Sequence, residues 1–333
     1  RTCTRRFSTV PSTMRALILK KEGLTLQEVP VPQVSDGQVL VKLHAAALNR
    51  RDYFITKGLY PGITFDGVLG SDGSGTVVGE DREVIINPTL SWKDEPNPGL
   101  GKFSILGMET GTFAEYIAVD RDMVFDKPAH LSAQQAAALP LAGVTAYRAT
   151  RTKGQVASGM KVLVTGIGSG VAVYAAQYAK LLGAEVWVTS SSDAKIAEAC
   201  DKLGAKGGVK YTDKDWWKQL KKQAGAIDVA IDGGGGTTMA GLPNVMAGGG
   251  RIVVYGATAG PAPSFNLAWV FLNQLTILGT SMGSAVEFAS MVDFVNEHKL
   301  VPTVHSTAKL QDFQTLFDTI EGGAFGKLVI EME

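Results

Sequence analysis

The chain has 333 residues and balances 32 Lys and Arg against 32 Asp and Glu, for a formal net charge of zero. That balance, with no basic tract beyond the first residues, argues against nucleic acid or an anionic membrane as partner. The length argues for two domains, and two cysteines, Cys3 and Cys200, cannot build a disulfide framework or a cysteine-rich zinc site.

Residues 1–13 hold Arg1, Arg5 and Arg6 with several Ser and Thr and no acid. Arg5-Arg6-Phe7-Ser8 resembles a processing site, so the stretch reads as a targeting segment or as a plain extension. The expected location is the cytoplasm, with the mitochondrion as the alternative that this segment raises. No apolar run approaches transmembrane length.

A β-rich region is expected over 14–135. Arg15–Leu19 and Leu24–Glu28 read as a hairpin, and Gln38–His44 alternates apolar and polar residues like a half-buried strand. Further strands are expected at Gly75–Val78, Glu83–Ile86 and Thr112–Val119, with a long Pro- and Gly-rich loop from Asn87 to Leu106. Ser132 with Gln135 forms a capping box ahead of a short alanine-rich helix.

Over 136–285 strands and helices alternate with the spacing of a doubly wound parallel sheet. The expected strands are Lys161–Thr165, Glu185–Thr189, Gly208–Tyr211, Ile227–Asp232, Arg251–Tyr255 and Thr276–Thr280. The expected helices are Val171–Leu182, Ala194–Leu203, Asp213–Ala224 and Thr238–Met246. The last strand is expected at the sheet edge, where pairing with its own copy would make a homodimer. Residues 286–333, with helices at Glu287–His298 and Asp312–Glu321 and a strand at Lys327–Ile330, are expected to return to the first domain.

The stretch Lys161-Val-Leu-Val-Thr165, Gly166-Ile-Gly-Ser-Gly170 and then Val171 onward joins a buried strand through a glycine turn to a helix. Glycines let a ligand backbone approach, and the helix N-terminus offers free N–H groups to a pyrophosphate. The glycine spacing departs from G-x-G-x-x-G, which leaves a ligand-free turn as the competing reading.

These features carry a resemblance. Ala47-Leu-Asn49 with Asp52, Gly58-Leu-Tyr-Pro61, Gly70-Ser-Asp-Gly73, Leu139–Tyr147, the glycine turn and Gly248–Gly256 resemble the medium-chain dehydrogenase/reductase superfamily, and within it the zinc-free quinone oxidoreductase branch. The resemblance implies an α/β fold in which a Rossmann doubly wound parallel sheet is inserted into a GroES-like β-rich catalytic domain, with a cleft between them. Zinc-dependent relatives place a cysteine where Asn49 stands, a histidine where Ser71 stands, and four cysteines in the 87–106 loop. Asn49, Ser71 and Asp72 are not a zinc donor set, so no metal is expected.

The cofactor expected is NADPH. The second strand of the nucleotide domain ends in Ser190-Ser-Ser192 without the acid that holds a ribose 2′-OH, and Asp193 is expected to cap the next helix. Ser191, Ser192, Lys195 and Tyr211 resemble a 2′-phosphate set. Gly168, Ser169, Gly170 and Val171 are expected at the pyrophosphate. Thr145, Tyr255, Gly256 and Ala257 are expected along the rest of the cofactor, with Lys327 closing over it. Tyr60 matches the proton-donating tyrosine of related enoyl reductases, with a pocket wall as its competing role, and Asn49 is a candidate donor to the substrate carbonyl. Tyr53, Trp92, Trp269 and Phe271 are candidate pocket aromatics, core packing being the alternative for each. The resulting expectation is a zinc-independent, NADPH-dependent reductase of quinones, enals or enones. The alternatives are a non-catalytic NADPH-binding redox sensor and an enoyl-thioester reductase.

Overall fold

The computed structural model describes residues 10–99 and 101–332; the Arg5–Ser8 site and most of the 1–13 segment lie outside the described residues. The chain forms two compact units. One runs through Leu141 and takes up Val304–Gly322 and the chain from Lys327; the other is Ala142–Thr303 with Gly323–Gly326.

The first unit opens with an antiparallel hairpin, Thr13–Lys20 against Gly23–Pro30, in unbroken register. Its main sheet runs in the order Val304–Lys309, Lys327–Glu331, Gln38–Leu48, Asp72–Val77, Glu83–Ile86 and Val124–Asp126, with Tyr116–Asp120 also paired to Gln38–Leu48. The first pair is parallel and the others are antiparallel. Along Gln38–Leu48 burial alternates as far as His44 and then becomes continuous through Ala45-Ala-Ala-Leu48. The small side chains Ala45 and Ala47 let the helix Ala133–Ala137 pack closely on that end of the strand. Ser132 and Gln135 form the expected capping box there. The 87–106 loop carries its own two-stranded ladder, Thr89–Leu90 with Ser104–Ile105, and Trp92 lies 4.8 Å from Phe103 between ring centroids.

The second unit is a six-stranded parallel sheet. Its order is Gly207–Lys210, Glu185–Ser190, Lys161–Val164, Ile227–Asp232, Met246–Val254 and Thr276–Gly279. The Val- and Ile-rich strands are buried on both faces because helices such as Gly170–Leu181, Asp193–Leu203 and Trp216–Ala224 cover them. The winding reverses between Lys161–Val164 and Ile227–Asp232, which makes the carboxyl ends of these two strands the topological switch point. This is the expected Rossmann sheet, and the first unit is the expected GroES-like β-rich one.

Two stretches differ from expectation. The helix Ala285–His298 counts with the second unit, where Phe294 packs edge-on against Tyr147 and Tyr178; the chain returns to the first unit at Val304 rather than at 286. The helix expected at Thr238–Met246 is shorter, Gly236–Gly241 with a tight turn Leu242–Asn244. The strand after it starts at Met246 and runs to Val254, with a local break in its register where Gly249 takes φ +75°.

Candidate functional site

In the second unit the strand Lys161–Val164 delivers the glycine turn to the switch point. Gly168 takes φ +119°, and a Cβ built there would lie 3.2 Å from both Ala324 O and Lys195 Cδ, so only glycine suits the position. Ser169 caps the helix Gly170–Leu181, its hydroxyl accepting from Ala172 N at 3.4 Å. Gly170 and Val171 open that helix, whose first-turn N–H groups have no acceptor within it. That is a ready seat for a phosphate.

The second turn at the switch point follows Asp232. Its buried carboxylate accepts from Thr165 Oγ1 and from the N–H of Gly235 at 2.9 Å and of Gly234 at 3.4 Å. Burial pushes this carboxyl up, and the three hydrogen bonds act in the other direction. The Tyr255 ring lies directly on Gly233, where a Cβ would come within 2.3 Å of its Cζ. Burial pushes the Tyr255 phenol up, while its hydrogen bond to the Ser169 side chain favours the ionised form. Tyr255 therefore joins the two turns that flank the switch point. Gly256 lies against Gly233 O, and exposed Ala257 packs beside Gly235.

Lys195 lies along the glycine turn and donates from Nζ to Gly323 O at 2.7 Å. At the end of Glu185–Ser190, Ser191 is exposed, and Ser192 is the N-cap of Asp193–Leu203. Asp193 is thus the first residue of the helix rather than its cap, and its Oδ2 pairs with Lys210 Nζ at 3.0 Å. Tyr211 donates its N–H to Ser190 O at 3.0 Å, while its ring packs on the core around Leu163 and Trp187. Thr145 is buried in the helix Pro140–Tyr147, with Oγ1 3.9 Å from Met282 Sδ. The structure brings together Gly168, Ser169, Lys195 and Tyr255 around one turn.

The first unit holds a buried polar cluster. Lys327 Nζ donates to Leu48 O at 2.7 Å, Asn49 Oδ1 at 2.6 Å and Asp72 Oδ2 at 3.0 Å. Three acceptors use the three N–H bonds of an ammonium. This corrects the expectation that Lys327 binds the cofactor, because no donor of its ammonium remains for a phosphate. Asn49 Nδ2 donates to Asp72 Oδ2 at 2.9 Å, and Asp72 Oδ1 accepts from Leu141 N at 2.8 Å. The Asn49 carbonyl is thus spent on Lys327, and one amide hydrogen remains for a ligand. Asp52, fully buried, accepts from Asn49 N at 2.8 Å. Burial pushes its carboxyl up to about 6, against the pull of neighbouring Arg51.

Arg51, buried beside Asp52, was not singled out by the sequence. Its Nη1 donates to Ser71 Oγ at 2.6 Å and Leu106 O at 2.9 Å, and its Cζ lies 5.0 Å from the centre of the Tyr60 ring. In sequence it is one of two adjacent arginines, and Arg50 is the half-buried one that donates to Ile320 O at 2.9 Å. Of the candidate aromatics, Trp92 is buried with Nε1 donating to Glu95 O at 2.7 Å, Tyr53 packs on Phe54, and Trp269 and Phe271 are exposed on the helix Leu267–Leu272.

The chain is similar to known proteins along most of its length. Residues 170–297 match the family profile described as zinc-binding dehydrogenase, and residues 35–129 match that described as alcohol dehydrogenase GroES-like domain. A Leptosphaeria maculans protein named zinc-type alcohol dehydrogenase-like protein YogA is 37% identical, over 93% of this chain and 94% of its own length. A Sulfurisphaera tokodaii protein named acryloyl-coenzyme A reductase is 26% identical, over 96% of this chain and 100% of its own. The crystal structure of a protein titled NAD-dependent alcohol dehydrogenase superposes with a TM-score of 0.87 at 37% identity, covering 96% of this chain and 100% of that one. The chain is an oxidoreductase that uses a nicotinamide cofactor, and it belongs to the medium-chain dehydrogenase/reductase superfamily.

Proposed function

We propose that this chain is a zinc-independent, NADPH-dependent reductase of activated double bonds and quinones, of the quinone oxidoreductase type. The observation that carries the reading is the Lys327 ammonium bound to Asn49 and Asp72. By the sequence resemblance, Asn49 and Ser71 stand where zinc-dependent relatives keep metal ligands. Here the oxygens of Asn49, Asp72 and Ser71 are already held by Lys327 and Arg51. A catalytic zinc does not fit oxygen donors that face two fixed cations. Without a Lewis acid, simple alcohol oxidation is a poor match, whereas conjugated carbonyls and quinones accept a hydride more readily.

The nicotinamide, when bound, supplies that hydride. Among the chain's own residues, the turn around Gly168, Ser169, Gly170 and Val171 is suited to a pyrophosphate, and Thr145 and Tyr255 to Ala257 to the remainder of the cofactor. The strand Glu185–Ser190 ends without an acid free to hold a ribose hydroxyl, since Asp193 is paired with Lys210. Ser191, Ser192, Lys195 and Tyr211 favour a 2′-phosphate instead. Tyr60 serves as the proton donor at the substrate α-carbon, and Asn49 offers its remaining amide hydrogen. The relative named acryloyl-coenzyme A reductase supports the enoyl thioester as a second substrate class. We also propose a homodimer formed through Thr276–Gly279, which pairs on one side only among the described residues.

The test is NADPH and NADH consumption with a panel of quinones, enals, enones, enoyl thioesters and alcohols, alongside metal analysis of the purified chain. NADPH-linked reduction with far less than one zinc per chain is the expected result. Stoichiometric zinc, or alcohol oxidation alone, overturns the proposal, and NADPH binding without turnover points to the redox sensor.

A further inference from the structure

The chain leaves the strand Glu185–Ser190 through Ser191 and Ser192, and an ion pair brackets that exit. Lys210 ends the neighbouring strand and is the register partner of Ser190. Its Nζ lies 3.0 Å from Oδ2 of Asp193, the first residue of the following helix. The two strands are parallel, and Tyr211 donates its N–H to Ser190 O just beyond the last register pair. In a Rossmann sheet the end of the second strand is where the adenine ribose presents its 2′ position. Both charges are reachable there: the Lys210 side chain keeps 34% of its surface and the Asp193 side chain 78%. The hydrogen bond and charge of Asp193, and then the charge of Asp213, hold the Lys210 ammonium above the usual lysine range, so it is a cation at neutral pH. An exposed pair of this kind adds little to stability, which leaves its partners available to a ligand of stronger charge.

We propose that Lys210 and Asp193 form the selector between NADPH and NADH, Lys210 contacting the 2′-phosphate and Asp193 being the acid it keeps in check. The inference rests on the reading that NADPH is the cofactor. An acid with no cation beside it at this place accepts a ribose 2′-hydroxyl and repels a 2′-phosphate, which is the arrangement of an NAD site. Lys210 reverses that choice. It occupies Asp193 Oδ2 and so withholds it from a ribose hydroxyl. An ammonium has three N–H bonds, so Lys210 can hold a phosphate oxygen without releasing the acid. Lys195, whose ammonium is on Gly323 O, belongs to the helix, whereas Lys210 belongs to the edge strand of the sheet. The two cations therefore come from different elements and act independently. Asp193 also suits the positive end of its helix; that role moves stability and leaves the choice of nucleotide untouched.

The experiment reads binding and needs no turnover. NADPH and NADH are titrated by fluorescence, and adenosine 2′-monophosphate by competition, against wild type, Lys210→Met, Asp193→Asn and the double variant. Lys202→Met is the control, because Lys202 pairs with Glu198 on the same helix in a comparable exposed contact. Thermal unfolding checks that each variant folds. Lys210→Met is expected to weaken NADPH and adenosine 2′-monophosphate about 10- to 100-fold and to leave NADH bound at least as well as by wild type. Asp193→Asn is expected to strengthen NADPH binding about two- to fivefold, and by more in the Lys210→Met background, where the acid is uncovered. Lys202→Met should leave every affinity unchanged. If Lys210→Met keeps the wild-type ratio of NADPH to NADH affinity, or Lys202→Met lowers that ratio as much, the inference is overturned. A wild type that binds both nucleotides equally fails the reading of NADPH as cofactor, and the ratio in Lys210→Met against wild type still decides the role of Lys210.

Discussion

Lys327 and Asp72, 255 residues apart in sequence, meet in a buried ion pair with 3.0 Å between Nζ and Oδ2. Each is also bonded to Asn49, so the pair fastens the carboxyl end of Gln38–Leu48 to the strands on either side of it. A buried pair gains little over an apolar replacement, but breaking it strands a charge. Lys327→Met alone should lower the unfolding free energy by about 3–5 kcal/mol, measured by urea denaturation. Lys327→Met with Asp72→Leu should recover part of that loss. Equal stability of the single variant and wild type would contradict the assignment.

Asp52 carries a pH prediction. Its folded pKa is raised to about 6 by burial. The stabilisation that comes from protonating it is therefore complete below the usual carboxylate range and is lost as pH rises through about 6. One pKa unit is worth about 1.4 kcal/mol, so this group should contribute a loss of about 2–3 kcal/mol between pH 4 and 7. Asp52→Asn should remove that part of the slope. The measurement is the difference in stability between the two proteins across that range; a constant difference counts against it.

The nucleotide unit was legible because its signals are local. Val162–Val164, Val186–Val188 and Val229–Ile231 are the β-branched and aliphatic runs that a doubly covered parallel strand demands, and each is followed by its turn and helix within a few residues. Other elements gave weaker signals. Val304–Lys309 carries Ser306 and Thr307 and alternates half-buried with exposed residues, so it shows no apolar run. Arg50–Thr56 starts directly after a strand, and its only marker was Asp52 bonding back to Asn49. Of the two sites, the glycine turn is contiguous in sequence. The polar cluster joins residues 49, 72 and 327, and no short-range pattern reveals that Lys327 spends its charge inside the protein.

Lys195 tests the cofactor preference. Its aliphatic stem lies on the glycine turn and its ammonium is held to Gly323 O. A charge-assisted contact to a 2′-phosphate contributes about 1.5–3 kcal/mol. Lys195→Ala should therefore weaken NADPH binding about 10- to 100-fold and leave NADH binding nearly unchanged, as read by nucleotide fluorescence titration. Equal losses for both nucleotides would remove Lys195 from the 2′-phosphate set.

Gly168 tests whether the turn itself is the pyrophosphate seat. At φ +119° any side chain is strained, and a Cβ would press on Ala324 O. Gly168→Ala should lower affinity for NADPH and NADH together by about 10-fold or more, because the cost falls on the shared pyrophosphate contact. Gly248→Ala is the control, since nothing lies within 4 Å of its Cβ position. If Gly168→Ala binds both nucleotides as wild type does, the turn is a structural bend and the seat lies elsewhere.

Thr276–Gly279 tests the proposed assembly. Three of its four residues are exposed, including Ile277, and the preceding helix Leu267–Leu272 exposes Leu267, Phe271 and Leu272 at 67–69% of their surface. An open strand edge beside so much apolar surface is a liability unless another chain covers it. A second copy meeting this edge about a twofold axis would continue the sheet antiparallel and cover both helices. Light scattering should give twice the chain mass for wild type. Ile277→Lys with Phe271→Glu, placing charges at the centre of that contact, should give the single-chain mass with nucleotide binding retained. A monomeric wild type, or a double variant that stays dimeric, would show that the edge does not form the contact.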